Sequence, residues 1–492
     1  MTWLLLLACT KTPDIPAGGA QPDVILLSID TLRADHVGAY GYHRDTTPFL
    51  DELAAKGTRY ESARSPSPWT LPTHTTMLSG QLPIHHGVVD DGGGIPDQVP
   101  LIQERFAQAG YATGAAVATL FVGRKFGFSR GFERFDDFGV NRKNNLKGTV
   151  DAEQVFGAAA QFTADHPGEP VFLFLHVYDV HYPYAAPGDW EEKYDRKGQK
   201  GDLRYKNYFR YLEHPVGDEQ MAHQIAQYDE EIAYVDHAFR QLVESFWAAG
   251  RQPLIVVTAD HGEEFGERGS WGHAHTLNPE QLHVPLIVQG PGVKVQVEEG
   301  AVATQDIAPT LAALLGEGWT GDGLSLWDNL STGEDIPARG LLGDTSRFET
   351  NRLGWYAHGL RLDWDLVSGT QRLYADALET QDVAAQRPED RARLEAELIS
   401  ALGTPWHAQP GLVVAQDAAI FAQGALQTQP WEVGQPLDFA VIPVDAQLQH
   451  GEQPPVKAGQ QSGPLTHTGA AMQEVGLSEA ERERLRALGY MD

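Results

Sequence analysis

The residues of this chain best suited to chemistry are a threonine, three aspartates and a group of histidines. Thr70 stands in the stretch Ser65-Pro66-Ser67-Pro68-Trp69-Thr70-Leu71-Pro72-Thr73-His74, where proline on both sides fixes φ and removes backbone donors. This predicts an extended approach and a helix opening near Thr73. A hydroxyl held there faces the region above a helix N-terminus, where unpaired N–H groups and the dipole favour an anion. Taken alone, the stretch is equally consistent with a capped helix whose threonines serve only the backbone. The partners that weigh against that reading are Asp30, Asp179 with His181, and Asp260 with His261, each at the C-terminal end of a buried aliphatic run. One aspartate at a strand end is ordinarily a cap for the next helix. Three together, two of them beside a histidine, point to a metal site at the C-terminal edge of a doubly wound sheet.

The runs that must carry these groups are 23–30, 171–177 and 254–262, short, aliphatic and rich in β-branched residues, as expected of strands covered on both faces. Between them lie helix patterns at 46–53, 101–110 and 228–247, a further strand at 111–118, and later a helix at 306–315 with Pro309 in its first turn. Residues 188–217 are polar and aromatic, long enough for a lid or a substrate-facing insertion. Past about Pro337 the pattern shortens to 355–357, 360–362, 365–367 and 371–374, which predicts an antiparallel sheet, with a charged helix at 388–402 to cover it. Residues 409–469 show little periodicity and remain unassigned, and a Ser-x-x-Glu opening predicts a last helix at 478–488. The expected fold is α/β: a large α/β/α sandwich with a mostly parallel mixed sheet over residues 22–336, and a smaller C-terminal α+β subdomain with an antiparallel sheet over residues 337–492.

A length of 492 residues and 42% hydrophobic content allow a large core, and the net charge of −30 excludes nucleic acid and anionic membrane surfaces as electrostatic partners. The apolar start of the chain is too short to span a bilayer. It ends in Leu6-Leu7-Ala8-Cys9, which resembles a bacterial lipobox, although no Lys or Arg precedes it. Residues 1–8 are therefore expected to be a lipoprotein signal peptide, Cys9 the lipidated residue and residues 9–21 a tether, placing the protein in the bacterial cell envelope, periplasmic or surface-facing. Cys9 is the only cysteine, so the mature domain has neither a disulfide nor a cysteine nucleophile.

Asp30-Thr31-Leu32-Arg33-Ala34-Asp35 with Gly38-Ala39-Tyr40-Gly41, the Thr70 to Gly80 turn, His181-Tyr182-Pro183, Asp260-His261-Gly262-Glu263, Trp271-Gly272-His273 and Val284-Pro285-Leu286-Ile287-Val288 follow one another along the chain. In this ordered set, and in the ending Leu485-Arg486-Ala487-Leu488-Gly489-Tyr490, the sequence resembles the sulfatase family of the alkaline phosphatase superfamily. The resemblance implies a fold like that of alkaline phosphatase and a divalent cation held by Asp30, Thr70, Asp260 and His261. It further implies that His181 and His273 act on the ester's non-bridging oxygens or leaving group, with His275 nearby. Asp179, His181 and His275 are candidates for a second ion, and His74 for substrate contact.

The departures are equally informative. Typical members begin the turn with Cys or Ser matured to formylglycine, which Thr70 cannot form; the expected Arg is His74, the Gly-Lys-Trp-His segment is absent near residues 116–123, and the second Asp of the first pair is Thr31. A threonine nucleophile is similar instead to the phosphodiesterase and phosphoglycerol-transferase branches. One carboxylate fewer and an imidazole in its place favour Mn²⁺ or Zn²⁺ over the Ca²⁺ of typical sulfatases. The expected function is hydrolysis of a phosphate or sulfate ester, of a glycan or lipid headgroup, by in-line attack of metal-activated Thr70. The competing readings are a phosphoryl-group transferase acting on envelope glycans and a catalytically weak, lipid-anchored glycan-binding protein.

Overall fold

A computed structural model describes residues 21–138, 150–194, 217–345, 347, 352–365, 368–375 and 379–402, together with the backbone of short strands between 412 and 474. The main sheet has eight strands: β1 (Val24–Ile29), β2 (Thr58–Tyr60), β3 (Ala112–Val117), β4 (Arg134–Asp136), β5 (Val171–Val177), β6 (Leu254–Thr258), β7 (Leu286–Gln289) and β8 (Gln296–Glu298). Their spatial order is β8-β2-β7-β6-β1-β5-β3-β4. Only β7 runs against the others, pairing antiparallel with both β6 and β2. β1 lies at the centre with Leu26 level with Phe174 of β5 and Val256 of β6. A last ladder bond, Asp30 N–H to the Val177 carbonyl at 3.0 Å, carries Asp30 to the sheet's C-terminal edge.

Alternation along the central strands divides the core into two layers, as the period of two requires. Val24, Leu26, Phe172 and Phe174 face a cluster with Trp69, Leu71, Met77 and Phe121, covered by α2 (Thr70–Ser79), α3 (Ile102–Gln108) and α6 (Ile307–Leu314). Ile25, Leu27, Leu173 and Leu175 face the other cluster, with Phe49, Phe156, Tyr228 and Phe239, covered by α1 (Pro48–Ala55), α4 (Ala152–Asp165) and α5 (Asp218–Ala248). The three-layer sandwich is therefore as expected. Two helix starts differ. α2 opens at Thr70 rather than Thr73, because Pro72 falls in the first turn, where its missing N–H has no partner to lose. α5 opens ten residues before Tyr228, its first turn carrying Asp218 and Glu219 in the favourable place for acids.

The second sheet is antiparallel throughout, in the order β9 (Leu341–Thr345), β10 (Arg352–Ala357), β11 (Leu360–Asp365) and β12 (Gln371–Tyr374). α7 (Pro388–Ala401) lays Leu394 and Leu398 on Leu342, Leu362, Trp364 and Leu373. β9 was not foreseen, since Gly343 and Asp344 in its middle are poor strand formers. Asp365 ends β11 instead of opening a strand of its own, and residues 366–367 lie outside the described set. So do residues 195–216 of the expected insertion, Cys9 with its tether, and the helix expected at 478–488. Within the unassigned 409–469 stretch, backbone pairings join Leu412–Ala415 to Gln447–His450 and Ala419–Ala422 to Phe439–Val441.

The start of α1 is completed from a distance. Thr47 makes no cap bond, and the Phe49 and Leu50 N–H groups donate instead to the two oxygens of Asp236 on α5, at 2.9 and 2.8 Å. Asp236→Ala leaves both donors buried and unpaired, and is expected to lower stability by about 1–3 kcal/mol in urea unfolding, with Asp236→Asn recovering part of the loss.

Candidate active site

β1 and β6 are parallel neighbours, so Asp30 and the Asp260-His261 pair emerge side by side at the same edge, and the first turn of α2 brings Thr70 to them. Each carboxylate has one oxygen held and one bare. Asp260 Oδ1 accepts from the Thr31 and His261 N–H groups at 3.1 and 2.9 Å, while Asp30 Oδ2 accepts from His176 Nε2 at 3.1 Å. Asp260 Oδ2 and Asp30 Oδ1 are buried without a hydrogen bond, 3.3 and 4.0 Å from His261 Nε2. His261 donates Nδ1–H to the Gly262 carbonyl at 2.9 Å, which fixes its tautomer and leaves the Nε2 lone pair turned inward. Thr70 Oγ1 is 3.5 Å from the same nitrogen.

Asp30, Asp260 and His261 offer ligand atoms within 4.8 Å of one another. Two bare, buried carboxylate oxygens facing an imidazole lone pair fit a divalent cation, and the held oxygens are the outer contacts that orient such ligands. The electrostatics agree. Burial first, and then the charge of Asp260, pushes the Asp30 carboxyl well above the usual range. Against its own burial, Asp260 is held below that range by His261, His74, His176 and the Thr31 N–H.

His74 faces the same cluster, but its nitrogens are occupied: Nδ1 donates to the Thr70 carbonyl at 2.8 Å and Nε2 accepts from Ser28 Oγ at 2.9 Å. Burial lowers its pKa to about 3, so it braces the Thr70 turn as a neutral ring and brings no cation where the resemblance leads to an arginine. His176 was missed in the sequence. Its signal was a lone polar residue in the apolar run Val171–Val177, and burial keeps it neutral, with a pKa of about 4. Thr31 is a β-branched residue at φ 56°, a strained conformation pinned by its N–H on Asp260, its hydroxyl on the Val180 carbonyl at 2.9 Å and Tyr228 Oη on its own carbonyl at 2.7 Å.

On the other flank, the imidazoles of His261, His273 and His181 form a row, with centroid separations of 4.5 and 5.0 Å. His273 Nδ1 donates to Glu263 Oε1 at 3.1 Å, and the other Glu263 oxygen accepts from Tyr184. His181 donates from Nδ1 to the Tyr182 carbonyl at 2.5 Å, and Tyr178 Oη meets its Nε2 at 3.2 Å. Burial lowers His181 to about 3 and His273 well below the usual imidazole range, so both are neutral. Glu263 was quoted in the sequence only as part of a motif; its role depends on a contact ten residues away that spacing does not disclose. Asp179 accepts the Ala152 N–H at 3.2 Å at the start of α4. His275 donates to the His273 carbonyl at 2.7 Å and meets Ser270 Oγ at 2.6 Å. Among the described residues, the groups gathered closely enough to share an ion do not include Asp179, His181 or His275.

A mixed, mostly parallel sheet between helix layers carries this cluster at its C-terminal edge. Residues 22–317 of the chain match the family model described as Sulfatase, and the chain belongs to the sulfatase family, within the alkaline phosphatase superfamily. It is 23% identical over 372 residues to choline-sulfatase of Rhizobium meliloti, covering 62% of this chain and 71% of that protein. Among solved structures, it is similar in fold to the phosphonate monoester hydrolase of Silicibacter pomeroyi, with a TM-score of 0.63 and 18% identity over 83% of this chain and 99% of that one. It is also similar to BT1596, a 2-O GAG sulfatase, with a TM-score of 0.62 and 19% identity over 78% and 93% of the two chains.

Asparagine at 30 or 260 preserves an oxygen acceptor while removing the charge. Asp30→Asn and Asp260→Asn are therefore expected to keep the wild-type circular dichroism spectrum but to weaken binding of Mn²⁺ or Zn²⁺ by at least about tenfold, measured by elemental analysis after equilibrium dialysis.

Proposed function

We propose that this sulfatase-family hydrolase cleaves phosphate esters, diesters in preference to sulfate esters, with Thr70 Oγ1 as the nucleophile. The observation that carries the reading is the placement of Thr70 Oγ1 at the helix start, 3.5 Å from His261 Nε2 and beside the two bare carboxylates. When bound, the divalent ion, Mn²⁺ or Zn²⁺ rather than Ca²⁺ for this carboxylate and imidazole set, supplies Lewis acidity at the Thr70 hydroxyl and charge neutralisation at the ester oxygens. Asp30, Asp260 and His261 would hold it; Thr70 attacks phosphorus in line as the ester P–O bond breaks, its hydroxyl proton passing to the departing alkoxide, and water then hydrolyses the phosphothreonine. Glu263 orients His273 and stabilises the imidazolium formed as that ring takes a proton from the water, a proton then returned to the departing Thr70 oxygen. A threonine has no hemiacetal route for releasing sulfate, and neutral His74 favours the single charge of a diester over the double charge of a monoester.

The organic part of the substrate is proposed to be a glycan or lipid headgroup of the bacterial envelope, where Cys9 would anchor the protein. Support comes from the Leu6-Leu7-Ala8-Cys9 sequence. Expression of Cys9→Ser in a bacterium is expected to move the protein from the detergent phase to the aqueous phase on Triton X-114 partitioning; unchanged partitioning refutes the anchor.

The reaction class is tested with matched aryl sulfate, phosphate monoester and phosphate diester substrates in Mn²⁺, Zn²⁺ or Ca²⁺. The diester is expected to give the highest kcat/KM, and Thr70→Ala to lower it by about three orders of magnitude or more. A higher kcat/KM for the sulfate, lost in Thr70→Ala, refutes the phosphate assignment.

A further inference from the structure

The C-terminal subdomain reaches the nucleophile turn through one strand. At the end of β9 the Asp344 N–H donates to the Pro66 carbonyl at 2.8 Å, and Thr345 Oγ1 donates to the Ala274 carbonyl at 3.0 Å. The Ala274 N–H in turn donates to the Pro68 carbonyl at 3.0 Å, so the turn before Thr70 and the segment after His273 are laced together under this strand. Two residues further on, the Arg347 guanidinium lies 4.0 Å from the centre of the Trp69 ring and 5.8 Å from that of Phe121. Trp69 is the N-cap of α2 and immediately precedes Thr70.

We propose that Arg347 is the anion-recognition residue of this site: a guanidinium supplied by the C-terminal subdomain that binds the non-bridging oxygens of the tetrahedral ester group next to Thr70. This rests on reading the site as that of an ester hydrolase. A guanidinium resting on an indole keeps its N–H groups directed outward in the ring plane, the geometry that suits two oxygens of a tetrahedral anion. The side chain is only 7% exposed, and Asp91 Oδ2 meets Nη2 at 3.3 Å, so the charge is held in a low-dielectric setting with a carboxylate as resident partner.

A guanidinium that only ties two subdomains together would affect stability and not anion binding. Calorimetric titration of the full-length, Mn²⁺-loaded protein with inorganic phosphate separates the two roles. Arg347→Met is expected to weaken phosphate binding by about tenfold or more, Arg347→Lys to recover only part of it, and Asp91→Asn, which removes the competing carboxylate, to tighten it by about threefold. Phosphate affinity unchanged in Arg347→Met, whatever its melting temperature, overturns the proposal. Where Arg347→Met does not fold, unchanged or weaker binding in Asp91→Asn overturns it. The titration needs no turnover, so a wild type that hydrolyses none of the esters refutes the proposed reaction while Arg347 is still decided by phosphate affinity.

Discussion

Two carboxylates buried side by side, with one oxygen of each left bare, set the terms for everything around them. Asp30 and Asp260 sit at the ends of adjacent parallel strands with ligand atoms within 4.8 Å, fully buried. At that separation two unit charges repel by roughly 3–4 kcal/mol at an effective dielectric of 20. The fold offers two ways to relieve this: a proton on Asp30, whose carboxyl is raised accordingly, or a divalent cation between them. The surrounding contacts favour the cation, because they pin only the outer oxygens, through His176, Thr31 and the His261 backbone. Holding Thr31 at φ 56° costs of order 1–3 kcal/mol, and the strain is tolerable because that conformation aims its N–H at Asp260.

The histidines around the pair do not add positive charge. His74, His176, His181 and His273 are all lowered by burial, and each has its tautomer fixed by an acceptor: the Thr70 carbonyl, Asp30, the Tyr182 carbonyl and Glu263. As neutral rings they orient their neighbours and do not hold an anion by charge. A substrate oxyanion must then find its countercharge in the bound ion and in whatever permanent cation the rest of the chain brings to the rim.

The sequence disclosed what depends on local pattern. The aliphatic runs ending in Asp30 and Asp260, the proline-flanked Thr70 and the histidine after Asp260 could be read directly, and the fold brings all four residues together. What could not be read depends on register between distant strands. Ser28 and His176 are level with each other on β1 and β5, and only that pairing brings Ser28 to His74 and His176 to Asp30. The trans cap from Asp236 to α1 and the left-handed turn at Thr31 are similarly invisible to periodicity. Asp179 shows the reverse: a carboxylate at a strand end whose observed contact is with the first N–H of α4, the ordinary outcome for such a residue.

The proline-rich turn explains why a second subdomain is needed at all. Pro66 and Pro68 bring carbonyls without N–H groups, so the turn cannot close on its own backbone and depends on donors from elsewhere. They come from distant parts of the chain: Asp344 to Pro66 and Ala274 to Pro68, while the Ser65 N–H donates to the Leu282 carbonyl at 2.8 Å. Inside the turn, Ser65 Oγ donates to the Ser67 carbonyl at 2.8 Å, and Thr73 Oγ1 to the Trp69 carbonyl at 2.9 Å. A hydroxyl on a turn fixed this way has little conformational entropy left to lose, which is the advantage of preorganisation. Since one of those donors belongs to β9, the antiparallel subdomain is part of what fixes the position of Thr70, and the main sheet alone would leave the Pro66 carbonyl without that bond.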